Sequence, residues 1–394
     1  MAFALSAGAL NHTPGLLGGG DAAHRVLSAE AYRMAIDEIT KWPGYAPTPL
    51  HHLKALARDI GVAEILYKDE GPRFGLGSFK ALGGAYAALR VLQREIKTRD
   101  GRKPRLADIR DGAHKSACAR ITLVSATDGN HGRSLAWGCN RFGAPCRIYI
   151  HADVSEGRAQ AMRDLGAEVV RIAGDYDQSV KLAQSEALEN GWFVVSDTSW
   201  PGYHLPPTDV MAGYGVMARE IVDALDTPPT HVFLQGGVGG LAAGVAAYLR
   251  QSWGAFSPRV VVVEPEFAAC LFASAARGAI TNVTIETETI MAGLSCGEPS
   301  PLAWDILHDE AADFLTIPDG VVAPAVRQLA RPLPGDPVIQ AGESAVAGLG
   351  ALQMACRDHD KMLALGLNSA SRVLLIGSEG ATDPEIFARI MAET

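Results

Sequence analysis

Positive charge is in short supply: 35 Lys and Arg face 44 Asp and Glu across 394 residues, a formal net charge of −9. Nucleic acid and anionic membrane surfaces are polyanions, so neither is expected as a partner. Cysteine is scarce as well. The six residues include no Cys-x-x-Cys pair and no histidine at zinc spacing, so no metal is expected and the usage fits a reduced, cytoplasmic chain. For Cys270 and Cys296, spacing alone establishes no bridge. Long apolar runs are missing too: the longest stretch without a charged residue, between Asp226 and Arg250, is broken by prolines and a glycine cluster. A membrane helix needs about 20 predominantly apolar residues, so this stretch is expected to form a strand, a loop and a helix instead. The N-terminus begins apolar but lacks a basic segment, so a secretory signal is not expected.

What is present is globular. Hydrophobic residues at 48% and charged residues at 20% exclude disorder as a global description, and the length predicts two or three packed units. Short β-branched runs alternate with amphipathic stretches. Strands are expected at 63–68, 121–125, 147–151, 168–172, 192–195, 231–234, 259–263 and 372–376. Helices are expected at 78–96, up to Gly143, and near 156–165. Near-continuous apolar strands separated by helices indicate mostly parallel sheets covered on both faces, the α/β class. No internal repeat points to a solenoid or propeller. The polar stretch 97–120 reads as a surface excursion, and the proline-rich stretch 201–207 as a crossing between units.

Four segments carry candidate chemistry. Lys80 opens a helix after a glycine-rich turn, where the helix dipole disfavours an ammonium and desolvation against Phe79 pushes the same way. Such an amine can form a Schiff base, although a lone lysine in this place is ordinarily just solvated. The loop Gly236, Gly237, Val238, Gly239 and Gly240 follows an apolar strand and precedes a helix, an arrangement that closes backbone amides around a small phosphate monoester. No Lys-Ser/Thr follows it, so it is not an ATP-type loop, and Glu264 leaves only a weak dinucleotide alternative. The turn Thr127, Asp128, Gly129, Asn130 and His131 offers donors to a carboxylate, beyond what a helix cap alone requires. Ser378 stands at a strand's carboxyl end, where α/β ligands usually sit; taken singly it is a plain turn residue.

Taken in order, Ser-Phe-Lys-Ala-Leu-Gly-Gly-Ala-Tyr, Asp-Gly-Asn-His-Gly, Gly-Gly-Val-Gly-Gly-Leu-Ala-Ala-Gly and Ile-Gly-Ser-Glu-Gly resemble the fold-type II pyridoxal-phosphate enzymes, the threonine dehydratase group. Within it the chain most resembles the 2,3-diaminopropionate ammonia-lyases, from about Gly44 to Pro384. The specific features are Asp-Glu-Gly-Pro-Arg-Phe-Gly-Leu-Gly, Ser-Asp-Thr-Ser-Trp-Pro-Gly-Tyr and Met-Ala-Gly-Leu-Ser-Cys-Gly-Glu-Pro-Ser. The resemblance implies two open, mostly parallel twisted sheets. It implies a large cofactor-binding domain of residues 1–83 and 212–394, with a smaller domain, 84–211, inserted in it. It also implies a homodimer. By it, Lys80 carries pyridoxal 5'-phosphate through a Schiff base beside Phe79, Asn130 bonds the 3' oxygen, residues 236–240 hold the phosphate, and Ser378 meets the pyridine nitrogen. The turn 127–131 faces the substrate carboxylate.

Simple serine and threonine dehydratases usually carry an uncharged residue at the position of Asp128. An anion near a bound carboxylate is unfavourable by about 4 kcal/mol at ~4 Å and an effective dielectric of ~20. A diamino-acid substrate with an ammonium on its β-carbon offsets this, as does a proton-transfer role for Asp128. Asp197 is a second expected contact for that amino group, with a strand-end cap as its plain reading. The expected activity is elimination of D- or L-diaminopropionate to pyruvate and two ammonia through aminoacrylate, with Lys80 and Asp128 as bases on opposite faces. A serine or threonine dehydratase, a racemase, a non-enzymatic phospholigand sensor and a nicotinamide enzyme are the alternatives.

Overall fold

A computed structural model describes residues 8–127, 129–174 and 176–392. The chain divides into two units: Met1–Ala29, Ala46–Phe79 and Met217–Thr394 form one, and Glu30–Tyr45 with Lys80–Val216 form the other. Eleven strands run through the described residues. They are β1 (Asn11–Pro14), β2 (Leu50–His52), β3 (Glu64–Asp69), β4 (Leu123–Ala126), β5 (Cys146–Ile150) and β6 (Glu168–Arg171). The rest are β7 (Phe193–Val194), β8 (His231–Gln235), β9 (Arg259–Pro265), β10 (Ala311–Ile317) and β11 (Arg372–Gly377).

The first unit holds a seven-stranded sheet in the order β1-β10-β9-β8-β11-β3-β2. Its five inner strands are parallel, and β1 and β2 pair antiparallel at the edges. Val260, Val261, Val262 and Val263 are all buried, so β9 reads as a continuous apolar run because both of its faces are covered. Three strands escape the sequence pattern. β1 and β2 are short polar edges, and β10 carries Asp313 in mid-strand. That carboxylate is fully buried, accepting from Arg259 Nε at 2.6 Å and facing His12 Nε2 at 2.9 Å. Burial alone would raise it, but these partners hold Asp313 below the usual carboxylate range.

The second unit holds the parallel sheet β6-β5-β4-β7. The segment 30–45 belongs here because its aromatic residues bury here: the Trp42 ring lies 5.7 Å from that of Trp137 and 6.0 Å from that of Phe142. The stretch 97–120 is more than a surface excursion. It forms the short helices Leu106–Arg110 and Lys115–Cys118, which bury Ile109 and Cys118. Nor is 201–207 a crossing between units. It lies inside the second one, where Pro201 and Gly202 (φ 83°) tip a tight turn closed by Trp200 N to Tyr203 O at 3.1 Å and the reverse bond at 2.9 Å.

The helix Lys80–Asp100 packs closely on the helix Leu205–Ala224 through glycines. A Cβ placed on Gly213 would lie 2.6 Å from the Leu82 carbonyl oxygen and 3.0 Å from the Cα of Gly83. Both obstacles are backbone, so the helices themselves must part. Gly213→Ala is expected to cost about 1–3 kcal/mol, the usual range for overpacking. Denaturant unfolding measures it, and an unchanged midpoint would refute the close approach.

Candidate active site

In the second unit, Lys80 is the first residue of the helix Lys80–Asp100. Its Nζ donates to Asp197 Oδ2 in an ion pair, with the two side chains 21% and 16% exposed. Beside the dipole and the desolvation expected to disfavour its ammonium, the structure thus sets a facing carboxylate that opposes both. Burial alone would raise the Asp197 carboxyl, yet the Lys80 ammonium holds it well below the usual carboxylate range. Asp197, expected at the substrate, therefore has Lys80 as its partner.

The turn after β4 is built from backbone bonds. Thr127 N donates to Tyr149 O at 3.1 Å, and Thr127 Oγ1 accepts from Gly129 N at 3.3 Å. Asp128 lies outside the described residues. Asn130 opens the helix Asn130–Phe142, and the buried His131 follows it. His131 Nε2 stands 2.9 Å from the carbonyl oxygen of Val195. A carbonyl only accepts, so Nε2 carries the hydrogen and neutral Nδ1 is a bare acceptor, with no partner among the described residues. Thr127, Gly129, Asn130 and His131 thus share one strand-to-helix turn, and His131 ties it to Val195, two residues before Asp197.

In the first unit, the glycine loop leaves β8 with its carbonyls already engaged. Gly236 O accepts from Gly239 N at 3.2 Å, Gly237 O from Cys270 Sγ at 3.6 Å and Val238 O from Ser300 N at 2.9 Å. The amides of Gly237, Val238 and Gly240 donate to no acceptor among the described residues. Gly237 and Gly239 have φ of 64° and 96°, the left-handed region that glycine tolerates. The helix Gly240–Trp253 adds its positive end. A Cβ on Gly236 would lie 2.4 Å from Glu264 Cγ. This is a cradle for a small anion. Glu264 is fully buried, accepting from Leu271 N at 3.0 Å and Phe272 N at 2.7 Å, and burial pushes it up to about 8. With both oxygens taken by the helix Cys270–Arg277, it is not presented to a ribose, which removes the basis of the dinucleotide alternative. No disulfide joins Cys270 and Cys296.

Ser378 follows β11 and is buried; its carbonyl accepts from Phe79 N at 3.0 Å, so the structure brings Phe79 and Ser378 together. Sequence reasoning missed what fixes the segment before them. Arg73 forks onto Glu70 at 2.8 Å through both Nε and a terminal nitrogen. It also reaches Glu220 at 2.8 and 2.7 Å. Lys68 Nζ meets Glu220 at 2.6 Å. Burial would lower the guanidinium, but Glu70 and Glu220 keep it firmly charged. The alternation of charges in Lys68, Glu70 and Arg73 was the available signal.

The pyridoxal-phosphate dependent enzyme family matches residues 41–375. The diaminopropionate ammonia-lyase of Escherichia coli (strain K12) is 40% identical over 375 residues, 93% of this chain and 93% of that protein. The crystal structure of Escherichia coli diaminopropionate ammonia lyase with an aminoacrylate-PLP azomethine reaction intermediate is similar at a TM-score of 0.87 and 35% identity, covering 99% of this chain and 98% of that one. The processed form of threonine deaminase isoform 2 from Solanum lycopersicum shares the fold, with a TM-score of 0.72 and 19% identity over 99% of both chains.

Burial lowers the titration of His131 below its ordinary 6.5. A histidine held neutral when folded binds fewer protons than when unfolded, so the molecule loses stability as pH falls below about 6.5. His131→Gln keeps a donor for Val195 and removes the titration. Its stability should decline less steeply from pH 7 to 5, by up to about 1.4 kcal/mol per pH unit. Parallel denaturation curves for the two proteins across that range would contradict a buried neutral ring.

Proposed function

The chain belongs to the pyridoxal-phosphate dependent enzyme family, and from that premise we propose that it is a carbon–nitrogen lyase eliminating ammonia from 2,3-diaminopropionate. The residues present fit the cofactor: unengaged amides and left-handed glycines suit its phosphate, and a partly open lysine at a helix start suits its aldehyde. Lys80 would hold the aldehyde carbon, residues 236–240 the phosphate, Asn130 the 3' oxygen and Ser378 the pyridine nitrogen, with Phe79 beside the ring. A hydroxyl at Ser378, rather than a carboxylate, leaves that nitrogen largely unprotonated, which suits elimination better than transamination. When bound, pyridoxal phosphate supplies the electron sink for the pair left at Cα.

The protein's own groups then choose the outcome. The turn 127–131 receives the substrate carboxylate. Lys80 would take the Cα proton from one face, and Asp128 would take it from the other in the opposite enantiomer. The Cβ–N bond breaks with its electron pair leaving on ammonia; the released enamine acid adds water, giving pyruvate and a second ammonia. The larger unit is read as the cofactor domain and the smaller as the one carrying the substrate carboxylate loop. The same reading makes the enzyme a cytoplasmic homodimer, which light scattering of the purified protein tests for the oligomer.

The observation that carries this reading is the pairing of Lys80 with Asp197. Once the lysine nitrogen is bound to the cofactor, a partly buried carboxylate is left to attract another cation. The β-ammonium of diaminopropionate supplies one, and the hydroxyl of serine does not. Lys80→Ala should abolish turnover and the visible absorbance of the lysine-bound cofactor. Asp197→Asn should lower kcat/KM for diaminopropionate by about 10- to 100-fold, a loss of about 1.4–2.7 kcal/mol. Turnover of serine should change little, and equal losses on both substrates would reject the ammonium contact and favour a dehydratase. Asp128→Asn should impair the D-enantiomer far more than the L-enantiomer; equal impairment would reject the second base.

A further inference from the structure

Asp197 stands where it does because the backbone before it is clamped by side chains. β7 ends at Val194, and the next residues leave the sheet after Val195 N donates to Val124 O at 2.8 Å. Beyond that point the strand ladder offers no further partners, yet three consecutive backbone groups are satisfied. Tyr203 Oη donates to Val194 O at 2.9 Å and accepts from Ser196 N at 3.0 Å. His131 Nε2 donates to Val195 O at 2.9 Å. On the far side of Asp197, Thr198 N donates to Ser196 Oγ at 3.1 Å. The aspartate is thus flanked by anchored residues.

The tyrosine is itself held for this task. Its ring stacks on Trp200 with centroids 3.8 Å apart and planes 8° from parallel. The two residues are joined by the Pro201–Gly202 turn and its reciprocal backbone bonds. A phenol in this place has lost its rotational freedom before it makes either hydrogen bond.

We infer that Tyr203 is a positioning residue for the diamino-acid selectivity of the enzyme: its hydroxyl, held by the Trp200 stack, fixes Val194 and Ser196 so that the Asp197 carboxylate stays directed at the amine end of its partner. Resting on the reading of Asp197 as the ammonium contact, the inference adds a residue whose hydroxyl bonds Val194 and Ser196 and acts on Asp197 through them. A carboxylate moved by about 1 Å attracts a bound ammonium less strongly, so loss of one hydroxyl is enough to be read in KM.

The test is Tyr203→Phe in the full-length, cofactor-loaded enzyme, which keeps the ring stack and removes both hydrogen bonds. The expected result is a KM for diaminopropionate raised about tenfold, with kcat and the KM for serine little changed. The visible absorbance of the lysine-bound cofactor should remain, but the pH at which it titrates should move, as it should in Asp197→Asn. The double variant should be no worse than Asp197→Asn alone, because the hydroxyl acts only through the carboxylate. Wild-type KM and an unmoved titration, or additive losses in the double variant, would overturn the inference. Absence of the visible band in the wild-type enzyme, or an Asp197→Asn variant with undiminished selectivity, would instead defeat the underlying reading. Should Tyr203→Phe fail to fold, Trp200→Leu loosens the ring while keeping the hydroxyl. A raised diaminopropionate KM at unchanged kcat then supports the inference, and an unchanged KM overturns it.

Discussion

Two charges taken partly out of water need each other, and the pair Lys80–Asp197 is the point from which the chemistry of this chain follows. An ion pair of this kind is a poor stability device, since well-packed apolar residues often do as well. Its location argues for a chemical purpose. A lysine at the first position of a 21-residue helix sits at the dipole's positive end, the least favourable place for a cation. The carboxylate offsets that penalty only while the nitrogen is charged. When the amine is engaged elsewhere, the same carboxylate becomes a site wanting a cation. On the proposed function one arrangement would serve the resting enzyme and discriminate among its substrates.

The anion cradle of the other unit solves the complementary problem. On the proposed function an acidic chain would hold the cofactor's phosphate there with backbone amides rather than with lysines. The loop carbonyls are drawn off by Gly239 N, Cys270 Sγ and Ser300 N, which leaves the amides of Gly237, Val238 and Gly240 unengaged. Glu264, packed against Gly236, could have spoiled the cradle by adding a negative charge beneath it. Burial pushes its carboxyl up to about 8, so near neutral pH much of that charge is absent. The two amides that it binds at the start of the helix Cys270–Arg277 absorb what remains.

Much of this was legible in the residues. The parallel strands buried on both faces, such as Val260–Val263 in β9, announced themselves as continuous apolar runs. The glycine loop read as a strand-to-helix turn and Lys80 as the opening of a helix, and both elements are there. What escaped were elements whose stability is supplied from elsewhere. β10 carries Asp313, and only the distant Arg259 and His12 make a buried charge there tolerable. The segment 30–45 joins the second unit through Trp42 and its ring neighbours, contacts that periodicity does not encode. The turn at Pro201 and Gly202 looked like a linker because proline and glycine punctuate linkers and tight turns alike. At the site, the Lys80–Asp197 pair links residues 117 positions apart, and no local pattern announces such a partner.

The same point separates the two lysines that bracket the motif. Lys68 and Lys80 lie twelve positions apart, and either could serve as an amine nucleophile by residue type alone. Lys68 is 1% exposed, donating to Glu220 and to the Thr48 carbonyl within a cluster that also holds Arg73 and Glu70. Releasing it would leave buried carboxylates short of a cation, a loss of about 3–5 kcal/mol for breaking a buried pair. Lys80 keeps 21% of its side chain open, and its partner can be handed to an incoming ammonium. Commitment to buried partners makes Lys68 a girder, and its lack leaves Lys80 the lysine suited to the proposed chemistry. The girder in turn shares Glu220 with Arg73, so Lys68 is part of what secures the segment that runs on to Phe79.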